Sequence, residues 1–493
     1  MQNTVILIVA GYMLLMLLIG WWSSTRIASN EDFMVAGRRL GPLLMAGTLA
    51  ATEIGGGSSL GVVEKGFGAW GLSASWYVTA MGIAFVILTF FAHKFRTAEV
   101  KTVPEYFRRR YGPFSGAITA IVMILPLIGL TAAQFIASST VVSVMLGLDY
   151  RMAVLAVTLV VTVYSVMGGL WSVTLTDFVQ VFLIFFGMAA ALPYALGMAG
   201  GMDNVVANVP DGTFGLFKGI GPYKIAALVI MYIASFTVGQ EAVSRYYAAR
   251  DGRAARQGSI IAAVVNFVYA FIPTLLGIIT LALLNMNKID SGLILSEGPK
   301  YALPHLAMAT MPAVIVGLLF SGILSATMSS ADSDLLGAGS IFGNDLYKTF
   351  IHPAASSTRV LKVTRVTMVI IGLLAGAVAY FNVGNIITLL MFSFTLRAAG
   401  SFFPYVFGLY WKRASEAGAV ASLIVGSATV LLMEHRKDLV LDFLTQKGFS
   451  NPVVLRLMDE PILVALVLSL AAFLLFCLIA PSRRNTTELV PEE

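Results

Sequence analysis

Residues Ser325 to Leu336 read S-A-T-M-S-S-A-D-S-D-L-L inside an apolar stretch that runs from Met311 through Phe320 to Ile341. At helical spacing Ser321, Ser325, Ser329 and then Asp332 or Ser333 fall on one face. Each acidic residue at mid-membrane costs roughly 2.5 to 3.5 kcal/mol on insertion scales, so a hydroxyl stripe ending in carboxylates reads as an ion or substrate path. Asp334 lies nearer the cytoplasmic end and reads as solvated or paired. Two further charges sit in apolar surroundings. Glu53 lies in the run T-E-I-G-G-G-S-S from Thr52 to Ser59, and Arg397 lies near the centre of the span from Asn385 to Trp411. Facing a cavity separately, Glu53 would read a cationic group and Arg397 a carboxylate through its planar fork; the blander alternative is that they neutralise each other. Gln240 follows a second interruption, S-F-T-V-G-Q-E from Ser235 to Glu241, and suits a polar substrate contact or a helix–helix hydrogen bond. Glu241 and Arg245 are spaced i, i+4 and read as a cytoplasmic-side pair.

The elements that must position these groups follow from composition. The chain has 493 residues, 58% hydrophobic and 12% charged, and a mean hydropathy of +0.85. These values predict an all-α polytopic membrane protein. A window of about 20 residues gives about thirteen spans. They lie near 4–23, 41–64, 69–93, 114–144, 152–167, 175–199, 223–248, 257–285, 309–336, 366–382, 384–411, 414–434 and 460–480. The first follows only Met1 to Thr4, has no basic n-region or cleavage site, and is expected to stay as a membrane helix. Lys and Arg fall in alternate loops: Arg26 to Arg39, Lys94 to Arg110, Arg245 to Arg256, Lys348 to Arg365, and Lys412 with Arg413. Those loops are expected to be cytoplasmic, with the N-terminus outside and the C-terminus inside; only the basic stretch Arg436 to Arg456 runs against the rule.

Three successive glycines disfavour a regular helix, since each costs about 1 kcal/mol relative to alanine. Broken backbone at membrane depth is tolerated where it lines a cavity, and two broken spans in corresponding positions mark a midplane binding site. The two interruptions lie five spans apart and predict an inverted repeat. Residues 1–40 form an extra helix and loop, 41–200 and 201–411 the two five-helix repeats, 412–480 two further helices, and 481–493 a tail.

Y-S-V-M-G-G-L-W-S-V-T-L-T-D-F-V-Q (Tyr164 to Gln180), G-Q-E-A-V-S-R (Gly239 to Arg245) and S-S-A-D-S with I-F-G-N-D-L-Y-K (Ser329 to Lys348) resemble the sodium:solute symporter family. Its members carry proline, sugars, sialic acid, pantothenate or choline. The resemblance spans almost the whole chain and implies a LeuT-like core, alternating access and sodium coupling. It implies that Ser329 and Ser330 supply hydroxyls to the coupling sodium, with the carbonyls of Ala326, Ala51 and Ile54. A second sodium site known in some members corresponds to Asp177, Asp332 and Ser333, with Ser329 shared. Those members have serine at position 332, and a carboxylate there equally suits a proton or a basic partner. Asp177 equally suits the N-cap of a helix beginning near Phe178. Choline carriers place tryptophan near positions 53 and 239, where this chain has Glu53 and Gly239, so no aromatic choline cage is expected. Thr52, Glu53, Gly55, Gly56, Gln240 and Arg397 are the expected substrate residues.

Other classes lack their chemistry. Gly66, Gly68 and Gly71 satisfy G-x-G-x-x-G but lie between membrane spans with no strand before them. His93, His305, His352 and His435 sit in different loops, and one cysteine, Cys477, builds no disulfide or metal ribbon. No G-K-S/T loop is present for ATP. The expected function is therefore not enzymatic but sodium-coupled symport of a small organic solute, an amino acid or small carboxylate being favoured. A proton-coupled carrier using Asp332 or Glu53, or a sodium-coupled importer of a cationic amine, are the alternatives. No organic cofactor, nucleic-acid partner or obligatory protein partner is expected; the partners are the solute, Na+ and the lipid bilayer, in a plasma membrane such as the bacterial inner membrane.

Overall fold

A computed structural model describes residues 1–24, 30–167, 169–289, 298–382, 385–439 and 458–481. Arg26, Gly168, most of the basic stretch 436–456 and the tail from 482 onward lie outside the described residues. Among the described residues twelve helices are long and apolar enough to cross a membrane. A broken span between Pro42 and Phe67 makes a thirteenth. The chain is thus an integral membrane protein.

The spanning helices are α1 (Gln2–Ser24), the broken pair α2 (Pro42–Glu53) and α3 (Val62–Phe67), α4 (Ser75–Leu88), then α5 (Val103–Arg110), a short helix at one end of the bundle. After it come α6 (Pro113–Leu146), α7 (Tyr150–Met167), α8 (Leu170–Ala199) and the second broken pair, α9 (Gly221–Val238) and α10 (Gln240–Ala248). The chain continues through α11 (Gly252–Tyr269), α12 (Phe271–Asn285), α13 (Ala313–Ser340), α14 (Ser357–Tyr380) and α15 (Ile386–Tyr410). Helices α16 (Glu416–His435) and α17 (Pro461–Ile479) pack on each other and on α15.

Packing repeats between the halves. Helix α2 packs on α11 as α9 packs on α4, and α8 packs on α13 as α15 packs on α6. This is the inverted relation that the spacing of the two interruptions predicts. The serine helix α13 sits centrally, against α8, α6, α14, α1 and α2. Its residues from Phe320 to Ser340 are buried, because protein rather than lipid surrounds them.

Several boundaries differ from the hydropathy reading by five residues or more, among them the starts of α14 and α8. Helix α14 begins at Ser357 rather than 366, since Arg359, Lys362 and Arg365 ride on its first turns; long cationic side chains extend a helix past the apolar slab by snorkelling. Helix α8 begins at Leu170 rather than 175, after Gly169.

Loops expected on the cytoplasmic side meet at one end. Arg38 donates to the Glu99 carbonyl (3.0 Å), Arg96 to that of Ala249 (2.6 Å), and Arg110 to those of Gly408 (3.0 Å) and Trp411 (2.8 Å). Leu40 and Ala249 form an isolated bridge, in which the Leu40 amide donates to Ala248 (3.1 Å) and the Arg250 amide to Leu40 (2.9 Å). At the opposite end Arg436 pairs with Asp438 (3.7 Å) and Lys437 with Asp459, so these two basic residues are locally neutralised.

Candidate ion and solute site

Helix α2 stops at Glu53 and regular winding resumes only after a π-helical turn, Gly57–Gly61. The glycines are there because neighbours come close. A Cβ on Gly55 would lie 2.4 Å from the Ser330 Oγ, one on Gly56 2.5 Å from the Ala137 Cβ, and one on Gly57 2.2 Å from Leu390. The Gly56 amide freed by the break donates to the Gln134 Oε1 (2.7 Å) on α6, as a buried amide must find an acceptor. The second break is an extended residue, Gly239, between α9 and α10.

Two polar stations meet on α13 next to the first break. At one, the Ser330 hydroxyl lies 2.6 Å from the Thr52 carbonyl, at the end of α2, and 3.1 Å from the Ala326 carbonyl one turn back. Ala51 precedes Thr52 and Ile54 lies two residues after it; the carbonyl that Ser330 reaches is that of Thr52 itself. This station is built of neutral oxygens from two helices.

At the other, the Ser329 hydroxyl donates instead to the Asp177 Oδ1 (2.7 Å) on α8. The Asp177 Oδ2 accepts from Thr48 (2.5 Å) and Thr52 (3.3 Å), and the Thr52 and Ser333 hydroxyls are 3.2 Å apart. A guanidinium is seated among them: Arg245 on α10 reaches the Asp177 Oδ2 (3.3 Å), Ser333 (2.6 Å) and Thr48 (3.3 Å). Both charged side chains of this pair are buried.

Several sequence expectations are corrected by this geometry. Asp177 caps no helix, because α8 has already begun at Leu170. Asp332 does not reach Asp177; its carboxylate accepts from Ser165 on α7. Arg245 bonds the backbone carbonyl of Glu241 rather than its carboxylate. That carboxylate pairs with Arg397, whose Nη1 lies 2.5 Å from the Glu241 Oε1 while its Nε donates to Ser235 (2.6 Å). Arg397 is therefore neutralised by Glu241 and not by Glu53. Gly239 makes room for this pair, since a Cβ there would lie 2.7 Å from both the Arg397 Nη2 and the Glu241 Oε1. Gln240 faces away from the cavity, accepting from the Val103 amide (2.9 Å) and donating to the Lys101 carbonyl (3.1 Å), so the helix–helix alternative holds.

A small cavity of about 20 Å³ lies beside the first break. Thr52, Glu53 and Gly55 line it, as does Asp334, which is neither solvated nor at the protein surface but 3% exposed. The remaining wall includes Glu241, expected instead in a cytoplasmic-side pair with Arg245, and Tyr77, Gln134 and Phe394, which carry no mark in the sequence. Tyr77 stands edge-on to Tyr232 (ring centroids 5.5 Å), which in turn lies 5.3 Å from Phe394. Their signal was aromatic residues in apolar helices, which composition alone cannot separate from core.

The profile of the sodium:solute symporter family matches residues 33–426. An osmoregulated proline transporter of Bacillus subtilis is 27% identical over 446 residues, covering 88% of this chain and 89% of the transporter. A high affinity choline transporter of Homo sapiens is also 27% identical, over 432 residues, with 84% of this chain and 74% of that protein covered. Among solved structures, a sodium-coupled sialic acid symporter in a substrate-bound outward-open state superposes with a TM-score of 0.79 at 19% identity, over 98% of both chains. The fold is LeuT-like, with two inverted five-helix repeats. The chain belongs to the sodium:solute symporter family, and it is a transporter, not an enzyme, that couples the movement of small solutes to sodium.

Proposed function

We propose that the coupling sodium binds where α13 meets the first break, between the Ser329 and Ser330 hydroxyls and the carbonyls of Ala326, Ala51 and Ile54. The observation that carries this reading is the Ser330 hydroxyl, within hydrogen-bond reach of carbonyls from both helices at once. A hydroxyl has two lone pairs beside its proton, so a cation can replace the donated bond and keep the oxygens converged. Sodium arriving there ties α2 to α13, stabilises the wall of the adjacent cavity and favours solute binding. The loaded core then rocks and opens to the other side, which is linkage between two ligands sharing one conformational equilibrium.

One sodium accompanies each solute. What favours one over two is Arg245, whose guanidinium occupies the space between Asp177 and Ser333 that a second ion would need. Asp332, turned toward Ser165, contributes to neither station. The solute occupies the cavity lined by Thr52, Glu53 and Gly55. Repeats 41–200 and 201–411 form the moving core, with 1–40 and 412–480 around it. The end that gathers Arg38, Arg96 and Arg110 is cytoplasmic by the positive-inside rule, which leaves the N-terminus outside and the C-terminus inside.

The test is uptake into proteoliposomes under an imposed sodium gradient, comparing the wild type with Ser330→Ala and with the Ser329→Ala, Ser330→Ala double variant. Sodium stimulation is expected to fall steeply in both. Unchanged sodium dependence in the double variant refutes this site.

A further inference from the structure

The charges around the central cavity do not balance. Glu53, Glu241 and Asp334 all line it, and among the described residues no lysine, arginine or histidine does. Each of the three is nearly inaccessible, at 7%, 3% and 3% exposure. Arg397, behind the wall, neutralises Glu241 and is anchored on Ser235. The other arginine of this region, Arg245, is committed to Asp177. Glu53 and Asp334 are left over, and the Glu53 Oε1 and the Asp334 Oδ2 are buried without a hydrogen-bond partner. A carboxylate removed from water is costly unless a cation or donors replace the water, so two such groups facing one cavity favour a cationic ligand there. A sodium ion beside Ser330 supplies one positive charge against two carboxylates.

The rest of the wall fits the same ligand. Phe394 and Tyr77 present aromatic surface, Tyr77 has a hydroxyl without a partner, and Met81, Leu130 and Leu390 supply apolar surface for a short carbon skeleton. Aromatic faces attract ammonium groups in addition to burying them. A solute carboxylate, in contrast, meets three acidic side chains and, among the described residues, no guanidinium in the cavity wall, since Arg397 lies outside it and is ion-paired with Glu241; this weakens the reason for favouring an amino acid or small carboxylate that Arg397 gave.

We infer that the transported solute is a small organic cation without a carboxylate, its ammonium seated between Glu53 of the broken helix α2 and Asp334 of the serine helix α13. The inference rests on the reading that this cavity is the solute site.

The experiment is sodium-driven uptake into proteoliposomes of five labelled probes of similar size: ethanolamine (a primary ammonium), choline (a quaternary one), alanine (a zwitterion), lactate (an anion) and glycerol (neutral). Uptake of ethanolamine or choline, competed by the other cation and not by lactate, is the expected result. Preference for ethanolamine would show that N–H donors to the two carboxylates dominate, and preference for choline that the aromatic wall does. Glu53→Gln and Asp334→Asn are each expected to raise the KM for the cation about tenfold or more, the loss of one charge-assisted contact. Where a variant fails to fold, competition on the wild type decides. Sodium-driven uptake confined to alanine, lactate or glycerol overturns the inference, as does cation uptake with an unchanged KM in both variants. Loss of sodium stimulation for every probe instead defeats the sodium reading, and the charge class of the remaining uptake still decides this one.

Discussion

Ser329 and Ser330 are neighbours in sequence, yet each belongs to a different kind of polar station. Successive residues on a helix point about 100° apart, so Ser330 turns to the carbonyl end of α2 and Ser329 to the carboxylate of α8. The Ser330 station holds neutral oxygens only. The Ser329 station holds a carboxylate whose counter-charge is already supplied by Arg245, a cation tethered to the chain. Neutral dipoles bind a cation strongly enough to order a junction and weakly enough to release it, whereas a buried ion pair locks. One site is therefore suited to turnover and the other to holding α8, α10 and α13 together.

The largest effect should come from breaking the locked station. Arg245→Met leaves Asp177 buried without a counter-charge, and removal of one partner of a buried pair costs about 3 to 5 kcal/mol. Thermal unfolding in detergent should show a clear drop in midpoint. The double variant Arg245→Met, Asp177→Leu should recover part of it, and a double variant less stable than the single would contradict the lock. Arg245→Gln adds a sharper test, because it vacates the space between Asp177 and Ser333. Its melting point should depend more steeply on sodium concentration than that of the wild type, by the linkage that stabilises any protein through its ligand.

Next in size is Ser330→Ala, which removes the hydroxyl shared by two carbonyls. The sodium concentration giving half-maximal uptake should rise by about tenfold, equivalent to about 1.4 kcal/mol of lost interaction. Ser329→Ala should act less on sodium, by about threefold, because its hydroxyl is spent on Asp177. An equal effect of the two would erase the distinction drawn between the stations. The smallest change belongs to Asp332→Asn, whose side chain faces Ser165 rather than either station; sodium half-saturation should stay within about twofold of the wild type, and any larger shift would bring Asp332 back into the ion path.

The two broken spans were legible in the sequence because glycine runs and hydropathy are local signals. So was the serine pair, marked by hydroxyls in an apolar helix. Partner choice was not. The i, i+4 spacing of Glu241 and Arg245 suggested a pair, but the carboxylate finds Arg397 from α15 and the guanidinium finds Asp177 from α8. Tertiary neighbours outbid helical ones once both are buried. Asp334 was misread for a related reason: its place along α13 says nothing of how closely the end of α2 approaches. Gln134 carries no local mark at all, and its role appears only when the Gly56 amide needs an acceptor. The glycine at 239 is similar, since the space it leaves is defined by two side chains from different helices.

The backbone bridge between Leu40 and Ala249 has a mechanical meaning. It joins the chain entering α2 to the chain leaving α10, and the Arg96 side chain adds a third tie, to the neighbouring Ala249 carbonyl. The near halves of both broken helices are thus riveted into a single lever arm. Any swing that opens this end of the protein must carry them together, and the bending falls to the Gly55–Gly57 and Gly239 joints at its tip.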